Sequence, residues 1–135
     1  MNVATRRLPL SLLFLRLSVF LVMLMWTIDK FVRPGHAASV FQDFYGLERL
    51  GSAVMYAVGA AELLLILGFV AGLKKRLTYG TVLLLHAVST LSSFRQYLSP
   101  FEGGSLLFFA AWPMLAACYA LYALREEDTL WTVRG

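Results

Sequence analysis

Cysteine is almost missing from this chain. Cys118 stands alone, so no intramolecular disulfide, CxxC pair or cysteine-based metal site can form, and dithiol exchange by the chain itself is excluded. Histidine is nearly as scarce. His36 and His86 are the only two, and just one of them falls in an apolar run, which excludes bis-histidine haem ligation within a single chain. HExxH, P-loop and dinucleotide-binding fingerprints are absent, no metal site is expected, and no spacing points to a Ser-His-Asp arrangement. Charge is thin too: 15% of residues are charged and 59% hydrophobic, against about 25% and about 45–50% in soluble domains. A mean hydropathy of +0.70 over 135 residues excludes both a soluble globular domain and a disordered chain.

What is there is a set of long apolar runs. About 20 mostly apolar residues cross roughly 30 Å of hydrocarbon, and four stretches qualify: residues 10–28, 52–72, 77–97 and 106–124. They are continuous rather than alternating, which favours helices over a barrel. The sequence therefore predicts a single all-α domain over residues 1–135, a polytopic four-helix transmembrane bundle.

The net charge is +4 and the pI about 9.5. The basic residues flank the apolar runs, so they read as topology signals and contacts to anionic lipid, and no nucleic-acid partner is expected. With the N-terminus inside, the cytoplasmic segments hold Arg6, Arg7, Lys74, Lys75, Arg76, Arg125 and Arg134, and the outer ones Lys30, Arg33, Arg49 and Arg95. Seven against four predicts both termini in the cytoplasm. Arg6-Arg7 before an apolar stretch and Ala37-Ala38 after it imitate a cleaved signal, but Asp29-Lys30 and Arg33-Pro34 intervene, and the run is long enough to remain as a span.

Between the first two runs, Ala37, Val40, Phe41, Phe44 and Tyr45 recur at helical spacing after Pro34-Gly35. This predicts a short amphipathic external helix that seals the bundle or lies on the interface. In the fourth run Pro113 is expected to kink the helix and free the Phe109 carbonyl. Phe108, Phe109 and Trp112 read as a lipid-facing cluster, with stacking on a quinone ring the alternative. Gly68 and Gly72 form a GxxxG near a helix end, a weak dimerisation signal.

Ionisable residues inside a membrane cost about 2.5–3.5 kcal/mol each on insertion scales, so they face inward and find partners. Glu62 is the midpoint of the second run and His86 lies one residue from the midpoint of the third. Arg16 is three residues from the centre of the first, about 4.5 Å. The expectation is an Arg16–Glu62 ion pair with His86 beside it, acting either as a register lock or as a ligand site. His86, Ser89, Thr90, Ser93 and Tyr97 form one polar stripe, read either as interhelical hydrogen bonding or as a seam open towards Arg95. At the outer mouth Asp29 and Lys30 are expected level with Arg95, with Asp29–Arg95 as the closing pair.

Arg16, then Trp26-x-x-Asp29-Lys30 with Pro34 soon after, Glu62, and Gly72-Leu73 before basic Arg76 resemble the DoxX-like family of small bacterial membrane proteins. Thr27 and Ile28 stand where that family usually has a glycine. The resemblance covers the first three runs and implies a four-helix protein of the bacterial inner membrane, whose relatives are associated with redox systems. On that footing the expected role is a small subunit of a quinone-linked redox assembly. The chain would not be catalytic on its own, and electron-transfer cofactors would come from other membrane or redox subunits. Arg16 would anchor an oxygen of a quinone head group, Glu62 would hold counter-charge, and His86, with Ser89 and Thr90, would exchange a proton. Small-solute binding or transport through the seam, and a purely structural subunit, are the competing readings.

Overall fold

The computed structural model describes residues 3–45, 51–103 and 105–133. Among them the chain is helical and contains no strand. The helices are α1 (Val3–Val32), α2 (Pro34–Tyr45), α3 (Ser52–Ala71), α4 (Lys75–Ser92), α5 (Phe94–Leu98) and α6 (Ala111–Ala123), with a 3-10 segment at Ser105–Ala110. Three stretches are long and apolar enough to cross a membrane: Arg7–Val32, Ala53–Ala71 and Ser105–Ala123. The last of these is only 11% buried. Apolar surface on that scale has no place in water, so the chain is a membrane protein whose helices face lipid.

The buried face of α1 is a single stripe: Leu12, Arg16, Val19, Met23, Thr27 and Lys30 are all under 9% exposed. Their spacing keeps them on one side of a 3.6-residue helix. Phe14, Leu21, Met25 and Ile28 point the other way and are exposed. α1 packs on α3, α3 on α4, α4 on α6 and α6 on α1, and α2 lies against α1 and α3. The core they share comprises Leu12, Val19, Met23, Ile66, Phe69, Tyr79, Val82, Cys118 and Leu121.

The α3–α4 turn is tight because Gly72 adopts φ +72°. Its amide bonds the Phe69 carbonyl and that of Leu73 the Gly68 carbonyl, a Schellman closure that satisfies the last carbonyls of α3. Gly72 is thus a helix stop, and Gly68 faces Thr78 within the same chain, so the GxxxG serves intrachain packing. Pro113 also differs from expectation. It sits in the first turn of α6, where a missing N–H is harmless, and the chain before it tightens into the 3-10 segment. The result is a change of helix type at Ala110–Ala111 rather than a kink within one helix.

The third apolar run is interrupted. α4 stops at Ser92 and α5 restarts at Phe94, because the Ser93 hydroxyl donates to the Ser89 carbonyl and competes with the backbone ladder. α2 occupies the place predicted for the amphipathic helix, starting at Pro34. The side chains of Ala37, Phe41, Phe44 and Tyr45, on which its apolar face was predicted, lie outside the described residues, as do Arg49 and Arg134.

Candidate functional site

Side-chain contacts fix the relative levels of the helices. Thr27 on α1 meets Glu62 on α3, Gly68 on α3 faces Thr78 on α4, and Gly80 on α4 faces Tyr122 on α6. Taking the basic α3–α4 turn as one end, Glu62 lies ten residues from Gly72 and His86 eleven from Lys75. Both are therefore about 15–16 Å from that end. Arg16, eleven residues before Thr27 on the same face, falls about 16 Å closer to the turn. It belongs to another layer.

The mid-bundle layer joins α1, α3 and α4. Lys30 Nζ is 3.1 Å from Glu62 Oε2, with the two side chains 9% and 15% exposed. The Thr27 hydroxyl lies 2.7 Å from Glu62 Oε1 and 2.8 Å from the Met23 carbonyl, so both carboxylate oxygens are engaged. The His86 ring packs on Trp26 with centroids 5.5 Å apart. His86 is 3% exposed, and its Nε2 has no hydrogen-bond partner among the described residues. Burial of such an atom is unfavourable unless something pairs with it.

The turn layer is assembled around the C-terminal tail. Asp128 and Arg16 are both fully buried, with Arg16 Nη1 2.5 Å from Asp128 Oδ1. Tyr79 donates its hydroxyl to Asp128 Oδ2 at 2.6 Å. Lys75 Nζ donates to the Asp128 carbonyl, and Arg16 Nη2 to the Leu130 and Trp131 carbonyls at 2.5 and 3.2 Å. The Val133 amide donates to the Ala71 carbonyl at 2.7 Å. One carboxylate thereby ties α1 to α4.

These contacts correct the expected site. Arg16 does not pair with Glu62; its partner is Asp128, and the cation on Glu62 is Lys30. The physical reason is an offset. α1 is 30 residues long, about 45 Å, so the centre of its apolar run is not the centre of the bundle. Glu62 and His86 lie at similar heights counted along their own helices; Glu62 contacts Thr27 and Lys30, and His86 contacts Trp26. Thr90 donates to the carbonyl of His86 at 2.6 Å, and Ser93 donates to Ser89. At these two positions the polar stripe bonds within its own helix. Asp29 does not reach Arg95. It pairs with Arg33 and with His36, each at 2.7 Å, because the α1–α2 corner brings those side chains to it locally. Arg95, beyond the break at Ser93, is exposed and lies over the Phe94 ring. Phe109 and Trp112 pack on Tyr97, with centroids 5.3 and 5.4 Å away, so that cluster faces the protein as well as lipid.

Sequence reasoning did not single out Asp128, Tyr79, Lys75 or Thr27. A signal for Asp128 exists: the acidic residues beyond the last run are Glu126, Glu127 and Asp128, and an arginine level with the basic turn has only these within reach. Comparison with protein-family models, with curated proteins and with solved structures finds no match to this chain.

Proposed function

We propose that the chain is a DoxX-like, four-helix integral protein of the bacterial inner membrane, acting as a small subunit of a quinone-linked redox assembly. α4 serves as the fourth crossing. Its 18 residues reach about 27 Å, and it is packed between α3 and α6, which leaves it no place outside the membrane if they cross. Lys74, Lys75, Arg76 and Arg125 gather at the turn end, which favours cytoplasmic termini and an outer position for α2.

The observation that carries the functional reading is the mid-bundle layer: a Lys30–Glu62 pair held by Thr27, at the same height as a buried imidazole, packed on Trp26, whose Nε2 has no hydrogen-bond partner among the described residues. A quinone head group needs a hydrogen-bond donor or a proton at its carbonyl oxygens, and His86 Nε2 supplies one. Trp26, 46% exposed, stands against His86 on the bundle's outer surface and offers a stacking face to a ligand arriving from lipid. Lys30 takes the role first expected of Arg16. Trp26, Lys30 and Glu62, which carry the family resemblance, all lie in or beside this layer.

The test is thermal unfolding of the purified protein in mild detergent with a soluble quinone analogue. The analogue is expected to raise the melting temperature of the wild type, and Glu62→Gln and His86→Ala are expected to abolish the rise. If both substitutions also leave assembly and any linked oxidation unchanged, only a structural subunit remains. That second reading has its own support, since the Thr27, Thr90 and Ser93 hydroxyls all have a carbonyl or carboxylate partner within the bundle.

A further inference from the structure

The C-terminal tail is docked without burying its own apolar side chains. Leu130, Trp131 and Val133 are 38%, 76% and 55% exposed, whereas Asp128 is wholly buried. The described contacts that hold the tail to the bundle are polar: the Asp128 carboxylate to Arg16 and Tyr79, tail carbonyls to Arg16 and Lys75, and the Val133 amide to Ala71. With so little apolar surface buried, such a segment is held mainly by its acceptors and is replaceable by a group that supplies the same ones.

Arg16 presents more donors than the tail takes up. Its Nε is buried without a partner among the described residues, although a guanidinium offers a fork that suits two oxygens of one anion. Lys75, which holds the Asp128 carbonyl, also lines a cleft of about 550 Å³ between the α3–α4 turn and the tail, together with Arg125, Glu126, Thr129 and Thr132. Two cations, two hydroxyls and one carboxylate thus line an approach of net positive charge from the basic end of the bundle.

From this geometry we infer that Arg16, Tyr79 and Lys75 form a binding site for a phosphate-bearing ligand, which Asp128 occupies in cis as an internal substitute. The ligand displaces the carboxylate and the tail carbonyls on Nη2, takes Arg16 through the Nε–Nη2 edge, and accepts the Tyr79 hydroxyl. The tail then leaves the bundle, and its release reports occupancy. A tetrahedral phosphate has enough oxygens to satisfy the fork and the phenol together. The site is separate from the mid-bundle layer and stands whether or not that layer binds a quinone.

The test uses the full chain in detergent, with Cys118→Ala and a spin label at Glu127→Cys on the exposed part of the tail. Inorganic phosphate, or mixed micelles containing phosphatidylglycerol, is expected to mobilise the label. Chloride at equal ionic strength and phosphatidylcholine micelles are not. A response to the lipid alone identifies a headgroup as the source, and a response to inorganic phosphate identifies a soluble ligand; either supports the site. Asp128→Asn is expected to tighten phosphate binding at least about tenfold by removing the competing occupant, and Arg16→Gln in that background to abolish the gain. A folded Asp128→Asn protein with unchanged affinity overturns the proposal. Should Asp128→Asn not fold, a label in the Asp128-containing chain that ignores both phosphate sources overturns it equally.

Discussion

The two possible partners of Arg16 make different energetic predictions, and a pair of double-mutant cycles separates them. At the observed contact with Asp128, the centres of charge are about 4 Å apart, which at an effective dielectric constant of about 20 corresponds to about 4 kcal/mol. Glu62 lies about 16 Å further along the bundle, where the same expression gives about 1 kcal/mol. Asp128→Asn and Arg16→Met are each expected to cost about 3–5 kcal/mol, because each leaves a buried group without its charge partner. The double variant is expected to regain much of that loss, since both desolvated charges vanish together. Unfolding of the purified protein in mixed micelles measures the coupling. For Arg16 with Asp128 it is expected to exceed that for Arg16 with Glu62, probed with Glu62→Gln, by about 3 kcal/mol. Equal couplings, or a larger one to Glu62, would refute the offset between the layers and with it the assignment of both ion pairs.

Other substitutions test the remaining contacts. Gly72→Ala places a Cβ 2.6 Å from the Thr132 methyl at φ +72°. It is expected to cost about 2 kcal/mol and to make the tail more susceptible to limited proteolysis. Tyr79→Phe removes one hydrogen bond to a charged acceptor and is expected to cost about 1.5–3 kcal/mol in the same unfolding assay, while Arg16 stays paired. Lys30→Met is expected to cost less than Asp128→Asn, because Glu62 keeps Thr27 and is 15% exposed; Lys30→Met with Glu62→Gln should recover part of the loss. His86→Leu replaces a ring whose Nε2 bonds nothing among the described residues with an apolar group, so stability is expected to change by less than about 1.5 kcal/mol. The quinone-dependent rise in melting temperature should nevertheless disappear.

The crossings were legible because their signal is long and repeated. The three helices that qualify by length and hydropathy coincide with the first, second and fourth apolar runs to within a few residues. The break at Ser93 was not legible, since the serines and threonine that weaken α4 are the same residues that give it a polar stripe. In the site, the depth of Glu62 and His86 could be counted from the ends of their own helices, which the basic turn and Gly72 fix. Arg16 could not be placed that way. Its helix runs from Val3 to Val32, well past the apolar run at the N-terminal end, and centring on hydropathy displaced it by half the bundle. The buried stripe on α1 offered a better guide: Leu12, Arg16, Val19, Met23, Thr27 and Lys30 share one face, so Arg16 and Lys30 both point inward and both require acids. Lys30 is the one level with Glu62. The partner of Arg16 lay in a short polar tail, where three consecutive acidic residues carry no periodicity to say which one turns in.

The separation of the two polar layers decides what kind of activity the bundle supports in this conformation. Between Arg16 and Thr27 on α1 stand Val19 and Met23; between Glu62 and Gly72 on α3, Ile66 and Phe69; between Tyr79 and His86 on α4, Val82. All five are no more than 3% exposed. A proton or solute passing along the axis would cross about 10–16 Å of this apolar packing, and water does not occupy such a region without polar groups to hold it. On the proposed readings the layers are served by different routes: the mid-bundle layer laterally beside Trp26, the turn layer from the end that carries the basic residues. The link between them is α1, which holds Arg16 at one level and Thr27 and Lys30 at the other. A ligand at one layer influences the other only by moving that helix, so a change at Asp128 should leave the mid-bundle layer's ligand affinity unaltered unless α1 itself shifts against α3. Quinone-analogue titrations of folded Asp128→Asn and wild-type protein measure this, with equal affinities expected; a large difference would show that the apolar region between the layers does not insulate them.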